Sequence, residues 1–390
     1  MSLKLNFLEL QNYRNFQTLN ITNFEDLVVF EGPNAVGKTN LLEAVQLITS
    51  NKSFRNSKNE YLVRNFSKRL VGETLRDSKN PNALNTASIK GKLRDGSRNL
   101  DISLSIRGNE KEFKVNGNKK NLQTSRKLCP SVTFIPDDLK IVKRSNSYRR
   151  DSLDKLGCLV SENYRVIRRD FITTLQNKNK LLKEENLKFN AGLLEAQNEV
   201  FTVCSSQLTI YRYSLLNRLN EYLVNIYREI SQSKETLTCE YVPNWCKYEI
   251  GKKKDFSKEE ARGWLQILLE REKQKEINTN ISTVGAQKDE ITFYIDDKNA
   301  SIFASQGQQR SIVLAYKIAE VLLIQDILNV KPILLLDDVM SELDDVRRAC
   351  LLSFIQDDMQ VFITTTHLDY FESDFLDKAQ IINVQKLCEW

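Results

Sequence analysis

Gly32-Pro33-Asn34-Ala35-Val36-Gly37-Lys38-Thr39 has residue types and spacing suited to phosphate chemistry. Gly32 and Gly37 let backbone N–H groups close around phosphate oxygens. Lys38 is placed to reach the β- and γ-phosphates of a nucleotide, and the Thr39 hydroxyl to ligate Mg²⁺. The stretch follows the apolar run Leu27-Val28-Val29-Phe30. It precedes a helical spacing through Leu41, Leu42, Val45 and Ile48. A loop in that context aims a helix N-terminus at an anion. Ile333-Leu334-Leu335-Leu336-Asp337-Asp338 supplies carboxylates. Four apolar residues read as a strand buried on both faces, and the two acids emerge at its C-terminal end, where open α/β sheets bind ligands. Asp337 suits Mg²⁺, through water, and Asp338 suits orienting or deprotonating an attacking water. A strand ending in an acidic turn is common by itself; beside a phosphate loop it reads as chemistry.

Ser305-Gln306-Gly307-Gln308-Gln309-Arg310 opens a long helix with Ile312, Ala315, Ala319, Leu322 and Leu323 on one stripe. A serine, a glycine and a helix N-terminus aimed at one point form an anion site. With a phosphate loop already present, a second such site points to a γ-phosphate presented by another subunit. The plain alternative is helix capping by Ser305. His367 is the one histidine of the chain, so a multi-histidine metal site is excluded. It directly follows the apolar strand Val361-Phe362-Ile363 and three threonines.

The elements that position these groups follow from periodicity. Residues 3–10 and 27–31 read as strands, 86–120 as antiparallel hairpins broken at Asp95-Gly96, Arg107-Gly108 and Asn116-Gly117, and 132–135 as a strand. From 151 to 235 glycine and proline nearly vanish, and Leu208, Tyr211, Leu215, Leu219 and Tyr222 share a helix face. Strand signals return near 237–241, 291–295 and 301–304. The order is strand, phosphate loop, helix, helical insertion, then strand–helix–strand. It describes one α/β domain split by an inserted arm: 1–145 with 236–390 form the ATPase domain, and 146–235 the arm.

Composition agrees with a globular chain: 390 residues, 41% hydrophobic and 28% charged, with only 13 glycines and 6 prolines. Collagen-like, low-complexity and small disulfide-scaffold readings are excluded. The seven cysteines include no CxxC pair and read as reduced cytosolic thiols. Met1 to Leu10 lacks the pattern of a secretion signal, and no run is long enough to span a membrane, so a cytoplasmic protein without a membrane partner is expected. A net charge of +6 is a weak bias compatible with nucleic acid. Two segments concentrate it: Lys140, Lys143, Arg144, Arg149 and Arg150, and Lys111, Lys114, Lys119, Lys120, Arg126 and Lys127. Two solvated faces are the ordinary reading of such runs.

These motifs, with Ser341-Glu342-Leu343-Asp344 and Thr364-Thr365-Thr366-His367, occur in the order found in ABC-type ATPases of the SMC class, and the chain resembles the RecF family within it. The resemblance rests on Leu8 to Phe16, Gly37-Lys38-Thr39-Asn40-Leu41-Leu42-Glu43-Ala44, Phe303 to Arg310, and Phe134-Ile135-Pro136-Asp137-Asp138-Leu139 followed by Arg149-Arg150. It covers essentially the whole chain. It departs at Gly285-Ala286-Gln287-Lys288-Asp289-Glu290-Ile291, where the family usually reads Gly-Pro-His-Arg-Asp-Asp-Leu.

The resemblance implies an α/β fold of P-loop ABC/SMC type, with a mixed sheet, antiparallel hairpins and an inserted helical arm. It implies two protomers sandwiching two ATP molecules with Mg²⁺. Gly32, Asn34, Gly37, Lys38 and Thr39 of one protomer would face Ser305, Gly307 and Gln308 of the other. Ser341 to Asp344 would communicate across the dimer, and His367 would touch the γ-phosphate as a switch. It further implies gapped or single-strand/double-strand junction DNA as target, RecR and RecO as partners, RecA loading as outcome, and slow, DNA-linked hydrolysis. Three other readings fit less well. A DNA-tethering SMC-like protein needs far longer arms between Lys38 and Ser305. A transporter ATPase has a shorter insertion and a membrane partner. A fused nuclease is not expected in the short stretch after His367.

Overall fold

The computed structural model describes residues 3–55, 58–64, 86–120, 129–184, 191–355 and 359–388. Arg126 and Lys127 of the second basic segment lie outside them. The chain forms two compact units, Met1–Asp138 with Ile324–Trp390, and Leu139–Leu323.

Among the described residues the first unit contains two sheets. One is antiparallel, in the order β2-β1-β4-β5-β6-β7. Its strands are β1 (Lys4–Tyr13), β2 (Phe16–Thr22), β4 (Thr86–Arg94), β5 (Asn99–Arg107), β6 (Glu110–Val115) and β7 (Asn118–Lys119). The other is parallel, in the order β14-β3-β13-β12-β8. It is built from β3 (Leu27–Glu31), β8 (Ser131–Phe134), β12 (Ile333–Asp337), β13 (Val361–Thr365) and β14 (Gln380–Asn383). Strands β12 and β13 are buried at every position, as a central parallel strand covered on both faces must be. The antiparallel strands alternate instead: β4 buries Ala87, Ile89, Gly91 and Leu93 and exposes Lys90, Lys92 and Arg94. The two kinds of pairing are thus divided between sheets.

Helix α1 (Lys38–Ser50) joins them. Leu41, Leu42, Ala44, Val45, Leu47 and Ile48 are all buried, and one apolar cluster runs from β1, β4 and β5 through α1 to Ile333, Leu335 and Phe362. A helix apolar nearly all round is a core helix. Gly91 permits its approach, because a Cβ there would meet Ile48 Cγ2 at 2.9 Å. The sheets are also clipped by an amide. The β1 register slips between Leu5 and Phe7. There Gln360 Oε1 accepts the Leu5 N–H (2.7 Å), while its Nε2 donates to the carbonyls of Leu5 (2.8 Å) and Glu25 (3.2 Å).

The second unit holds helices α2 (Asn146–Val160), α3 (Glu162–Leu181), α4 (Ala191–Ile230), α5 (Lys258–Thr279) and α6 (Ala300–Phe303), the greater part of α7 (Gln306–Leu328), and a small antiparallel sheet. That sheet has the order β11-β10-β9, from β9 (Leu237–Val242), β10 (Glu290–Ile295) and β11 (Lys298–Asn299). The helical stretch read at 146–235 therefore shares its unit with 236–323, which the sequence reading assigned to the ATPase domain. The reason is packing: Asn220 on α4 donates to the Cys239 carbonyl on β9 (2.7 Å), and Leu208 and Leu219 are buried. The strand read at 301–304 is instead α6. Asn299 Oδ1 accepts the Ser301 N–H (2.9 Å) and starts a helical turn, leaving Ile302 and Phe303 exposed. Among the described residues no helix is long and apolar enough to cross a membrane.

Gln360→Ala is expected to strip partners from the buried N–H and carbonyl of Leu5, each worth about 1–3 kcal/mol when left unsatisfied and buried, and from the more open Glu25 carbonyl. Lower thermal stability and faster exchange of the Leu5 amide should follow. Unchanged exchange would remove the clip from the account of this fold.

Candidate nucleotide site

Strands β3 and β13 end level, and β12 ends one residue earlier. Thr365 is opposite Glu31, and Thr364 is opposite Asp337. Parallel pairing thus brings three loops to one edge, that of the phosphate loop among them. The loop folds as its glycines allow. Gly37 has φ 116°, and a Cβ on it would meet Asn15 Nδ2 at 2.5 Å and Phe16 Cζ at 2.9 Å. Only glycine fits there. Pro33, Asn34 and Ala35 are exposed, whereas Gly32 and Gly37 are buried and Val36 is half-buried.

Lys38 is 6% exposed, and its ammonium donates to the carbonyls of Gly32 (2.6 Å) and Pro33 (2.9 Å). Burial pushes its pKa down, against the opposing pull of Asp338, Asp337 and Glu31. Thr39 Oγ1 donates to Asp337 Oδ1 at 2.8 Å, and Thr364 Oγ1 donates to the same oxygen at 2.9 Å. Residues 298 positions apart are thereby joined in an oxygen-only cluster. Burial pushes the Asp337 carboxyl up, offset by the Thr39 and Thr364 hydroxyls. Asp338 adopts φ 51°, a left-handed backbone, and its N–H donates to Thr364 Oγ1 (2.9 Å). Its buried Oδ1 has no hydrogen-bond partner. Burial raises its pKa too; Lys38 opposes the shift, Asp337 adds to it, and His367 pulls down more weakly. The donor set fits Mg²⁺, which favours hard oxygen ligands and needs only one or two from protein when phosphates supply more. Among the described residues no cluster of three or more His, Cys, Asp or Glu side chains could hold a metal.

His367 is exposed, with its ring edge-on to Tyr370. Thr365 Oγ1 donates to its carbonyl (2.8 Å). Ser341 Oγ donates to the Asp338 carbonyl (2.8 Å), and Asp344 Oδ1 accepts the Arg347 N–H (3.0 Å), capping the helix that follows. The loop, Asp337, Asp338, Ser341 and His367 all belong to the first unit. Ser305, Gly307 and Gln308 belong to the second, where they build a reciprocal cap on α7. Ser305 Oγ accepts the Gln308 N–H (3.2 Å), and Gln308 Oε1 accepts the Ser305 N–H (2.8 Å).

Sequence reasoning assigned no role to the groups that brace the loop. Glu43 is fully buried on α1. It accepts Arg14 Nε and Nη2, both at 2.8 Å, the Tyr13 hydroxyl at 2.9 Å, and the Ser53 hydroxyl. Ser53 Oγ accepts the Arg55 N–H (3.1 Å), and Arg55 Nη1 donates to Asn40 Oδ1 (2.8 Å). Asn40 Nδ2 donates to Asn15 Oδ1 (2.7 Å), and Asn15 Nδ2 donates to the Val36 carbonyl (2.9 Å). One sequence signal could have pointed to this network, a lone carboxylate in the apolar run Leu41-Leu42-Glu43-Ala44-Val45. The basic segment at 140–150 also reads differently in place. Arg149 is buried and donates to the carbonyls of Val142 (2.9 Å) and Arg144 (2.7 Å), so it is a structural brace. In the other segment Glu112 pairs with Lys114 (2.9 Å) and Lys119 (3.6 Å).

Residues 4–386 match the family model described as RecF/RecN/SMC N terminal domain. The DNA replication and repair protein RecF of Bacillus thuringiensis (strain Al Hakam) is 34% identical over 383 residues, which cover 97% of this chain and 96% of that one. Its counterpart in Bacillus cereus (strain B4264) matches equally. A solved structure of the recombination mediator protein RecF-ATPrS in the RecFOR pathway superposes with TM-score 0.83 at 28% identity, covering 98% of this chain and 97% of the other. An Smc head domain from Pyrococcus furiosus, 14% identical, shares the fold at TM-score 0.53 over 98% of this chain and 93% of its own.

Although burial favours the neutral acid, hydrogen bonds and the charge of Arg14 hold the Glu43 carboxyl below its usual range. Its stabilising contribution is therefore complete above the unfolded pKa, near 4.3, and is lost as pH falls through the folded value. Arg14→Ala should cost about 3–5 kcal/mol at neutral pH by stranding a buried charge. That penalty should shrink toward acid pH as Glu43 protonates. A penalty constant with pH, measured by denaturant unfolding, would contradict the ion-pair account.

Proposed function

The chain belongs to the RecF family, and from that premise we propose that it is an ATP-dependent, DNA-binding recombination mediator. The observation that carries the reading is the Thr39–Asp337 contact at 2.8 Å with Asp338 beside it, the nucleophile-activating and metal-holding side of an ATPase. Gly32, Pro33, Asn34, Ala35, Val36 and Gly37 wrap the phosphates, and Lys38 exchanges its loop carbonyls for β- and γ-phosphate oxygens. Thr39 and Asp337 would hold Mg²⁺, which would supply positive charge against the phosphates. Asp338 takes the proton of a water as it attacks the γ-phosphorus and ADP leaves. Its raised pKa brings the carboxylate nearer the range useful to a general base. His367 senses the γ-phosphate.

Only half of each site lies on one protomer in this reading. Ser305 Oγ, the Gly307 amide and Gln308 of a second copy complete it, giving a two-fold dimer with two equivalent sites. ATP binds the closed dimer better than the open monomer, so it shifts the population toward the dimer, and hydrolysis reverses the shift. The closed form grips gapped or junction DNA chiefly through its backbone, with RecR and RecO as partners and RecA loading as the result. Hydrolysis times the assembly and is slow. The RecF relatives named for replication and repair, and the RecF structure from the RecFOR pathway, support this reading.

Sedimentation with ATP, Mg²⁺ and a short gapped duplex tests it. Wild-type protein should become a DNA-bound dimer, and Lys38→Met should stay monomeric. Asp338→Asn should slow hydrolysis by about 10²–10⁴-fold and accumulate the dimer on DNA. A chain that binds DNA as a monomer throughout would overturn the ATP-closed dimer.

A further inference from the structure

Two segments that the ATPase chemistry leaves unused, Arg149-Arg150 and Gly285 to Ile291, meet in the second unit. Asn146 Oδ1, at the start of α2, accepts the Ile291 N–H at 3.0 Å, and Arg150 Nη1 donates to the Asp289 carbonyl at 2.5 Å. The turn carrying Lys288 is over-determined. Gly285 has φ 119°, and a Cβ there would meet the Phe201 ring at 2.4 Å. The Ala286 N–H donates to Ser205 Oγ (2.8 Å), and Arg212 Nη1 donates to the Ala286 carbonyl (2.7 Å).

Arg150 is half-buried and makes no ion pair among the described residues. The acids around it are committed elsewhere. Asp154 is held by both ends of Arg212 (2.8 Å each), by Arg168 (2.9 Å) and by Tyr164 (2.7 Å). The Asp289 carboxylate is held by Thr209 (2.7 Å), the Asn244 N–H (2.7 Å) and Tyr241. Glu290 pairs with Lys247. Burial and the neighbouring Arg212 charge both press on the Arg150 cation, with Asp289 giving partial relief. A guanidinium carries five N–H donors, of which the Asp289 carbonyl takes one. The exposed Lys288 stands on the residue just before that carbonyl.

We propose that Arg150 and Lys288 form a phosphate-binding site on the second unit, with Arg150 as the planar donor and Lys288 as the point charge. This rests on the reading of the chain as a DNA-binding ATPase, which supplies two sources of phosphate, a DNA backbone and a nucleotide carried by a second copy.

The test uses full-length wild type, Lys288→Gln, Arg150→Gln and Arg150→Lys, each checked for wild-type melting. Binding to a short gapped duplex is read by fluorescence anisotropy across a salt series, and ATP-dependent sedimentation is read alongside. For a DNA source, each Gln variant lowers the slope of log K against log salt by about 0.7–0.9. Affinity then falls several-fold, Arg150→Lys restores part of both, and sedimentation is unchanged. For a nucleotide source, the salt slope stays and ATP-dependent dimer formation weakens. Wild-type protein that holds no DNA sinks the DNA-binding reading and leaves the site to the nucleotide arm. Folded Gln variants that match wild type in both arms overturn the site itself.

Discussion

Glu43 lies one turn beyond Thr39 on α1 with no exposed surface, and it takes hydrogen bonds from three directions. Arg14 and Tyr13 come from the β1–β2 turn, and Ser53 from the segment after α1. A carboxylate so placed is costly unless fully satisfied. The forked Arg14 contact satisfies it and fixes geometry as well as charge. The consequence spreads through a chain of hydrogen bonds, from Glu43 by Ser53, Arg55, Asn40 and Asn15 to the Val36 carbonyl. The outer limb of the phosphate loop is thus held by side chains that lie outside the loop. The inner limb is held separately, by Lys38 on the Gly32 and Pro33 carbonyls.

The other face of the site depends on register. Because β12, β13 and β3 pair in parallel and end within one residue of each other, Asp337 and Thr364 meet without a long loop to steer them. Thr364 serves twice, donating to Asp337 Oδ1 and accepting the Asp338 N–H. A slip of one residue between β12 and β13 would part Asp337 from Thr364. Full burial of β12 and β13 makes such a slip expensive, so the geometry of the carboxylates follows from the packing of the strands beneath them.

What sequence could reveal depended on whether a signal was local. The phosphate loop, the Ile333–Asp338 strand and the Ser305 cap are each written in consecutive residues, and the structure has the corresponding strand, loop and helix at each. The Glu43 network was not legible, because its members come from 13–15, 40–43 and 53–55 and only folding brings them together. Arg149 read as part of a basic surface because charge runs usually are; its burial arises from a turn whose carbonyls needed a donor. The stretch at 301–304 has strand composition, yet the Asn299 cap overrides it. The compact units also differ from the composition boundaries. Side chains such as Asn220 and Arg212 tie the helical stretch to β9 and to the 285–288 turn, contacts that composition does not record.

Asp338 sits in a left-handed backbone at the point where the strand gives way to its loop. Aspartate, asparagine and glycine tolerate that conformation far better than longer or branched residues. The backbone and the chemistry therefore ask for overlapping but different sets of side chains, and a short carboxylate is the member common to both. Drift at this position is channelled as a result. Neutral exchange to asparagine preserves the bend and abandons the base, while lengthening to glutamate keeps the base and bends the chain against its preference. A lineage that gave up hydrolysis could thus retain the same loop geometry, with the loss recorded in a single side-chain atom.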